Sequence, residues 1–113
     1  MWELDDLNTL HVRAKQKLRD FLADPRRVRL GRTAERDLSI TPVRKLGLLE
    51  AMLEFIEQGS TLKADFMEQT GEEAFIFEYC NCEGLTLYVK ASFKGQGQSE
   101  ALFIFSAHPS RRW

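Results

Sequence analysis

The apolar residues of this chain recur at helical spacing in its first half and in strict alternation in its second. Leu7, Leu10, Ala14, Leu18, Phe21 and Leu22 follow one another at intervals that place them on one side of a helix, with Arg13, Lys15, Lys17 and Arg19 elsewhere around it. Asp5-Asp6 complements the positive end of the helix dipole, and Asp24-Pro25 stops the helix soon after Leu22. Arg26-Arg27-Val28-Arg29-Leu30-Gly31-Arg32 then reads as a basic connector with at most one extended turn, and Thr33-Ala34-Glu35-Arg36 as a short helical turn. Thr41 and Pro42 fit an N-cap and a first helical position. From there Val43, Leu46, Leu49, Leu53 and Ile56 predict a second long helix ending at Gly59.

From Thr61 the period shortens. Four extended segments are expected near Leu62–Gln69, Glu73–Cys80, Leu85–Phe93 and Ala101–Ala107, separated by the turn-forming Thr70-Gly71, Glu83-Gly84 and Gly95-Gln96-Gly97. Links this short join antiparallel neighbours, so the segments form a meander. In the third, Leu85, Leu87, Val89 and Ala91 alternate with Thr86, Tyr88, Lys90 and Ser92, which predicts one face on the helices and one polar face. The last, Ala101-Leu102-Phe103-Ile104-Phe105, is apolar on both faces and is expected to be central, and Pro109 to end its pairing. The fold class is therefore α+β: two N-terminal helices followed by a four-stranded antiparallel meander sheet.

A chain of 113 residues is about one domain, and 43% hydrophobic with 11% aromatic residues is enough for a core. The division expected is a helical, basic half over 1–60, a sheet over 61–108 and a tail over 109–113. No apolar run approaches the roughly 20 residues that span a bilayer. The start, Met1-Trp2-Glu3-Leu4-Asp5-Asp6, lacks the basic and apolar regions of a secretory signal. Cys80 and Cys82 stand too close on one strand to staple the fold, which suits a reducing, cytoplasmic setting. The net charge of −1 conceals a split, because residues 1–45 hold 11 of the 16 Lys and Arg and only 7 of the 17 acids. A basic end of this kind faces anions, nucleic acid among them, although solvated helices produce the same split.

Among residues able to carry chemistry, His108 follows an apolar strand and precedes Arg111 and Arg112. Histidine is the side chain whose proton exchanges near neutral pH. Tyr88 and Lys90, two apart on one strand, share a face and pair a phenol with a cation suited to phosphate. Glu78 is a candidate base. A surface histidine in a tail and a solvated sheet face account for the same residues, and both readings stand at this point. Cys80-Asn81-Cys82 has no second cysteine pair, and His11 and His108 are far apart in sequence, so the usual zinc ligand sets are missing. Neither a phosphate-cradling glycine loop nor a Ser-His-Asp constellation can be read from the order of residues. No cofactor and no metal are expected.

Several segments, taken in order, resemble the MqsR-type toxins of the RelE-like ribonuclease superfamily. They are Leu18-Arg19-Asp20-Phe21…Pro25-Arg26-Arg27, Arg32-Thr33-Ala34-Glu35-Arg36-Asp37, the helix ending Phe55-Ile56, Ala64-Asp65-Phe66, Leu87-Tyr88-Val89-Lys90 and Leu102-Phe103-Ile104-Phe105-Ser106. The resemblance spans roughly residues 18–108 and includes the order of elements. It implies cleavage of messenger RNA, held in check by a cognate antitoxin protein. It places Tyr88 on the family's active-site strand tyrosine and His108 near the basic residue after the final strand. The chain departs from the pattern at Phe66-Met67-Glu68, where the family has Phe-Tyr-Lys, and around Phe75–Phe77, where it has a glutamine before a tyrosine.

Cleavage of RNA without metal needs a base for the 2′-hydroxyl, cations for the phosphate and an acid for the leaving oxygen. Acid–base groups supply about 10²–10⁴-fold each and preorganised charge about 10²–10³-fold. The roles expected are His108 as acid, Glu78 or Tyr88 as base, and Lys90 with Arg111 or Arg112 as phosphate clamps. Arg26, Arg27 and Arg29 are expected to hold the RNA backbone. Two other readings fit the same fold. One is a non-catalytic protein-binding module, an immunity or adaptor protein using its sheet edge. The other is an RNA-binding domain stacking bases on Phe75, Phe77 and Tyr79.

Overall fold

A computed structural model describes residues 4–60, 62–66, 73–95 and 100–109. Helix α1 (Leu4–Ala23) runs into a 3₁₀ turn at Pro25–Arg27 and a short strand β1 (Val28–Leu30). Helices α2 (Arg32–Ser39) and α3 (Lys45–Glu57) follow, and then strands β2 (Lys63–Phe66), β3 (Glu73–Cys82), β4 (Leu85–Lys94) and β5 (Ala101–Pro109). The fold is α+β, as expected. The expected meander is present, with β2, β3, β4 and β5 paired antiparallel in sequence order. The sheet is nevertheless mixed and five-stranded, ordered β1-β5-β4-β3-β2, because β1 pairs in parallel with β5. Three helices stand where two long ones and a turn were expected. The connector supplies the extra strand: Val28, Arg29 and Leu30 lie opposite Leu102, Phe103 and Ile104. This makes β5 internal, as its apolar composition suggested, and gives the helical half a share in the sheet.

The helix ends have identifiable causes. Pro25 opens the 3₁₀ turn, where its missing N–H costs nothing. Thr41 does not begin the next helix. Its hydroxyl donates to the Leu38 carbonyl at 2.9 Å and accepts from the Val43 N–H at 3.1 Å, so it closes α2, and α3 starts only at Lys45. At the far end of α3, Gly59 takes φ +84°, and the N–H groups of Gly59 and Ser60 return to Ile56 and Phe55. That is the paired bonding of a Schellman cap, and it needs a left-handed residue at this point. Glu83 and Gly84 both have positive φ between Cys82 and Leu85, the two-residue turn whose twist matches antiparallel strands. The expected turns at Thr70-Gly71 and Gln96-Gly97 lie outside the described residues.

A single cluster joins the buried faces of the helices to one face of the sheet. Ala14, Leu18 and Phe21 of α1, Ala34 and Leu38 of α2, and Leu48, Leu49, Met52, Phe55 and Ile56 of α3 pack on Phe75, Phe77, Leu87, Val89, Ala91, Leu102 and Ile104. Five rings run through it as a chain, Phe21–Phe93–Phe75–Phe77–Phe55, with successive centroids 4.9–6.0 Å apart. Val43, Leu49 and Ile56 are buried as expected, but the buried face of α3 is wider than the expected stripe. Leu46 is exposed and Leu53 half-buried, while Leu48, Met52 and Phe55 are inside, because α3 packs on α1 and β3 together.

Beyond the end of β1, the outer edge of β5 is covered by α2. The Asp37 carboxylate accepts the Ala107 N–H at 3.1 Å and so occupies a donor that a bare edge would present to another strand. On β1 the Lys45 ammonium donates to the Val28 carbonyl at 3.4 Å. Removing a charged acceptor from a partly buried N–H costs about 1–3 kcal/mol. Asp37→Ala should therefore lower the unfolding free energy by that amount, read as a lower urea midpoint at an unchanged slope, and Asp37→Asn, which keeps an acceptor oxygen, should lose less. An unchanged midpoint for Asp37→Ala would remove the edge from this account.

Candidate nucleic-acid interface

Strand alternation sends every second side chain to the face of the sheet opposite the helices. On that face stand Arg29 of β1, Lys63 of β2, Ile76 and Glu78 of β3, Tyr88, Lys90, Ser92 and Lys94 of β4, and Phe103, Phe105, Ser106 and His108 of β5. Ala74, Ile76 and Ser92 are buried there outside the helix-side cluster, whereas Arg29 and His108 are exposed and Tyr88, Lys90, Lys94, Phe103 and Phe105 half-exposed.

Tyr88 and His108 are direct cross-strand partners, and their rings stack with centroids 5.0 Å apart and planes 15° from parallel. Lys90 and Ser106 form the next pair on the same face. This neighbourhood depends on one extra residue in β5. Ala91 lies opposite Ile104 but Lys90 lies opposite Ser106, so Phe105 bulges out of the ladder. In an unbroken ladder Ala107 would face Tyr88 and His108 would turn toward the core. With the bulge, Ala107 is buried inside and the imidazole is outside.

His108 Nδ1 lies 3.2 Å from the Pro109 carbonyl oxygen. The carbonyl can only accept, so Nδ1 carries the hydrogen and Nε2 is the nitrogen left for proton exchange. Glu78 is on the same face, its carboxylate 2.8 Å from the Lys63 ammonium. The hydrogen bond to Glu78, then its charge, hold the Lys63 ammonium above its ordinary value. The stabilisation this gives is complete at neutral pH and lost only as pH rises through the folded-state value.

A second bulge, in β3, corrects one expectation. Phe77 pairs with Val89 and Cys80 with Leu87, so Glu78 and Tyr79 together stand opposite Tyr88, and Tyr79 takes φ +64°. Phe75, Phe77 and Tyr79 therefore do not form one stacking face. The first two are core residues under the helices, and Tyr79 is 43% exposed beside α3. Cys80 and Cys82 take the inward positions instead, as free thiols.

Of the arginines expected to hold a backbone, only Arg29 is on the helix-free face. Arg26 pairs with Asp24 in its own turn at 3.1 Å. Arg27 donates to the Glu100 carbonyl at 2.9 Å and lies over the Phe21 ring at 5.0 Å, pinning α1 to the start of β5. Arg111 and Arg112 lie outside the described residues. The basic character of the face comes instead from Lys63, Lys90 and Lys94, and its accessible aromatic character from Tyr88, Phe103 and Phe105. Of these, Lys63, Lys94, Phe103 and Phe105 were not singled out from sequence. Two grooves lie elsewhere, one of about 400 Å³ beside Val28, Arg29, Leu30, Glu35 and Lys45, and one of about 130 Å³ between α3 and Tyr79. Neither contains Tyr88 or His108. A cationic and aromatic sheet face suits an extended polymer more than an enclosed small molecule.

Among the described residues no three potential metal-ligating side chains cluster, and no helix is long and apolar enough to cross a membrane. Compared with known protein families, curated proteins and solved structures, the chain matches none.

Burial pushes the Cys80 thiol up to about 12, with smaller contributions from Cys82 and Glu54. Four units below that value, at pH 8, about one thiol in 10⁴ is the reactive thiolate. Iodoacetamide at pH 8 should leave Cys80 intact in the folded protein and alkylate it in urea, as read by peptide mass spectrometry. Equal rates in both states would contradict the inward register of β3.

Proposed function

We propose that this protein is a metal-independent endoribonuclease of the toxin type, acting on messenger RNA across the helix-free face of its sheet and held in check by a protein partner. The observation that carries the reading is the stacked Tyr88–His108 pair in register beside Lys90 and Ser106. It sits on a face that carries Arg29, Lys63, Lys90 and Lys94 beside Glu78. The order of helices followed by a meander, and the place of Tyr88 on its strand, resemble the pattern of MqsR-type toxins within the RelE-like superfamily.

The chemistry follows from the groups at hand. Glu78, or the Tyr88 oxygen, takes the proton of a ribose 2′-hydroxyl, and the freed oxygen attacks the adjacent phosphorus. Lys90 offsets the charge that builds on the phosphoryl oxygens. The bond from phosphorus to the 5′-oxygen breaks, and His108, entering the step with both ring nitrogens protonated, gives its Nε2 proton to that oxygen. The products are a 2′,3′-cyclic phosphate and a 5′-hydroxyl, and the bonds formed and broken balance without an external reagent. The Nδ1 contact with Pro109 occupies one ring nitrogen and leaves Nε2 for the transfer. A second reading, RNA binding without cleavage, is favoured by the ion pair that already engages Glu78 with Lys63.

The test is cleavage of a labelled RNA in excess EDTA. Wild type should give cyclic-phosphate ends, and His108→Ala should lower kcat by about 10²–10⁴ while the protein stays folded by circular dichroism. Tyr88→Phe keeps the ring stack and removes only the hydroxyl, so a loss of kcat there assigns that oxygen a part in the chemistry. RNA left whole by the wild type, or full activity in His108→Ala, would end the nuclease reading.

A further inference from the structure

Phe103 and Phe105 are half-exposed aromatic residues on β5 that belong to no part of the helix-side core. Their rings face each other at 4.9 Å, and the Lys94 ammonium lies over both, 4.9 Å from the first centroid and 5.4 Å from the second. Arg29 stands directly opposite Phe103 on β1. Gly31 borders the same ring so closely that a Cβ there would come within 3.2 Å of Phe103 Cε1. The backbone of the β1–α2 junction is therefore shaped around the ring. Alternation from the inward Ile104 places Phe105 on the same face as Phe103, and the bulge at Phe105 then keeps Ser106 and His108 on that face as well. Along β5 this pair lies about 13 Å or less from His108, at about 3.3 Å per paired residue.

From this arrangement we infer that Phe103 and Phe105, flanked by Lys94 and Arg29, form a base-stacking subsite for single-stranded RNA, one that positions the strand whose backbone crosses Tyr88, Lys90 and His108. The inference deepens the proposed function and rests on it for the identity of the strand. Two π faces with a cation on either side are what unpaired bases and their phosphates require, and a duplex, whose bases are already stacked, offers the phosphates but not the free base faces. Lys94 covers the rings when no base is present. Stacking of a base outweighs one solvent-exposed cation–π contact, so a bound base displaces the ammonium toward the neighbouring phosphate. The face is cationic among its described side chains, which gives the strand its attraction and its salt dependence.

Fluorescence anisotropy with a fluorescein-labelled single-stranded RNA, and with the same strand annealed to its complement, tests this in EDTA with His108→Ala as background to keep the probe whole. The single strand should bind more tightly than the duplex. Phe103→Leu and Phe105→Leu, which keep apolar bulk, should each weaken single-strand binding about five- to hundredfold and leave duplex binding unchanged. Far-ultraviolet circular dichroism and a urea midpoint check that both variants fold, and Lys94→Gln, which does not alter the rings, should reduce the salt slope by about one phosphate contact. Equal affinity for single strand and duplex, or undiminished single-strand binding in both leucine variants, overturns the subsite. Cleavage assays in the His108-containing protein separate this from the larger proposal. An intact nuclease whose KM is unmoved by the leucine variants refutes only the subsite. Single-strand binding that falls in those variants without any cleavage by the wild type supports the subsite and refutes only the nuclease.

Discussion

The structure rests on the burial of one face of the sheet beneath α1 and α3, with the ring chain Phe21–Phe93–Phe75–Phe77–Phe55 running from one helix through two strands to the other. Aromatic contacts of this geometry are worth about 0.5–1.5 kcal/mol each beyond the area they bury. Once β3 and β4 commit their phenylalanines to that side, the alternation of the backbone assigns every remaining residue to the other. Tyr88, Lys90 and Lys94 are outward because Leu87, Val89, Ala91 and Phe93 are inward. The accessible surface is thus a by-product of core packing, and its chemistry is whatever the intervening positions carry.

That logic explains which parts of the fold could be read from sequence. The meander was legible because each strand shows its own alternation and Glu83-Gly84 supplies both positive φ angles a tight hairpin needs. The strand β1 was not. Val28, Arg29 and Leu30 form a strand only because β5, more than seventy residues later, lies alongside, and three residues carry no periodicity of their own. Thr41-Pro42 is a legitimate helix start in isolation, but the Thr41 hydroxyl found a stronger local use closing α2. The stripe of α3 was legible in part, Val43, Leu49 and Ile56 being buried, and came out wider because a helix that packs on both a neighbouring helix and a strand has a wider apolar arc than one contact line predicts.

Charge was misleading in an instructive way. The basic half of the sequence sends Arg27 and Lys17 to hold Glu100 and to cover Phe21 and Phe93 on the helix side of the sheet. The acidic half contributes Lys63, Lys90 and Lys94 to the helix-free face, while its Glu50, Glu54 and Glu57 are on the exposed side of α3. Segment charge averages over faces that the fold separates by the full thickness of the sheet, and only the strand register says which cations stand together.

The pairing of Tyr88 with His108 raises the same point in its sharpest form. From sequence the two share a face only if the ladder between β4 and β5 has a particular register, and uninterrupted alternation from the Ala91–Ile104 pair gives the wrong one. A single looped-out residue at Phe105 corrects it. One ladder position is thereby left unpaired. Without the break Phe105 would still be outward, opposite Lys90, while Ser106 and His108 would turn toward the core and Ala107 away from it. The bulge shows its result at the surface: the imidazole beside the phenol and Ser106 beside Lys90, on the face where Phe103 and Phe105 already stand. The residue that disrupts the ladder is therefore also the one that assembles the face.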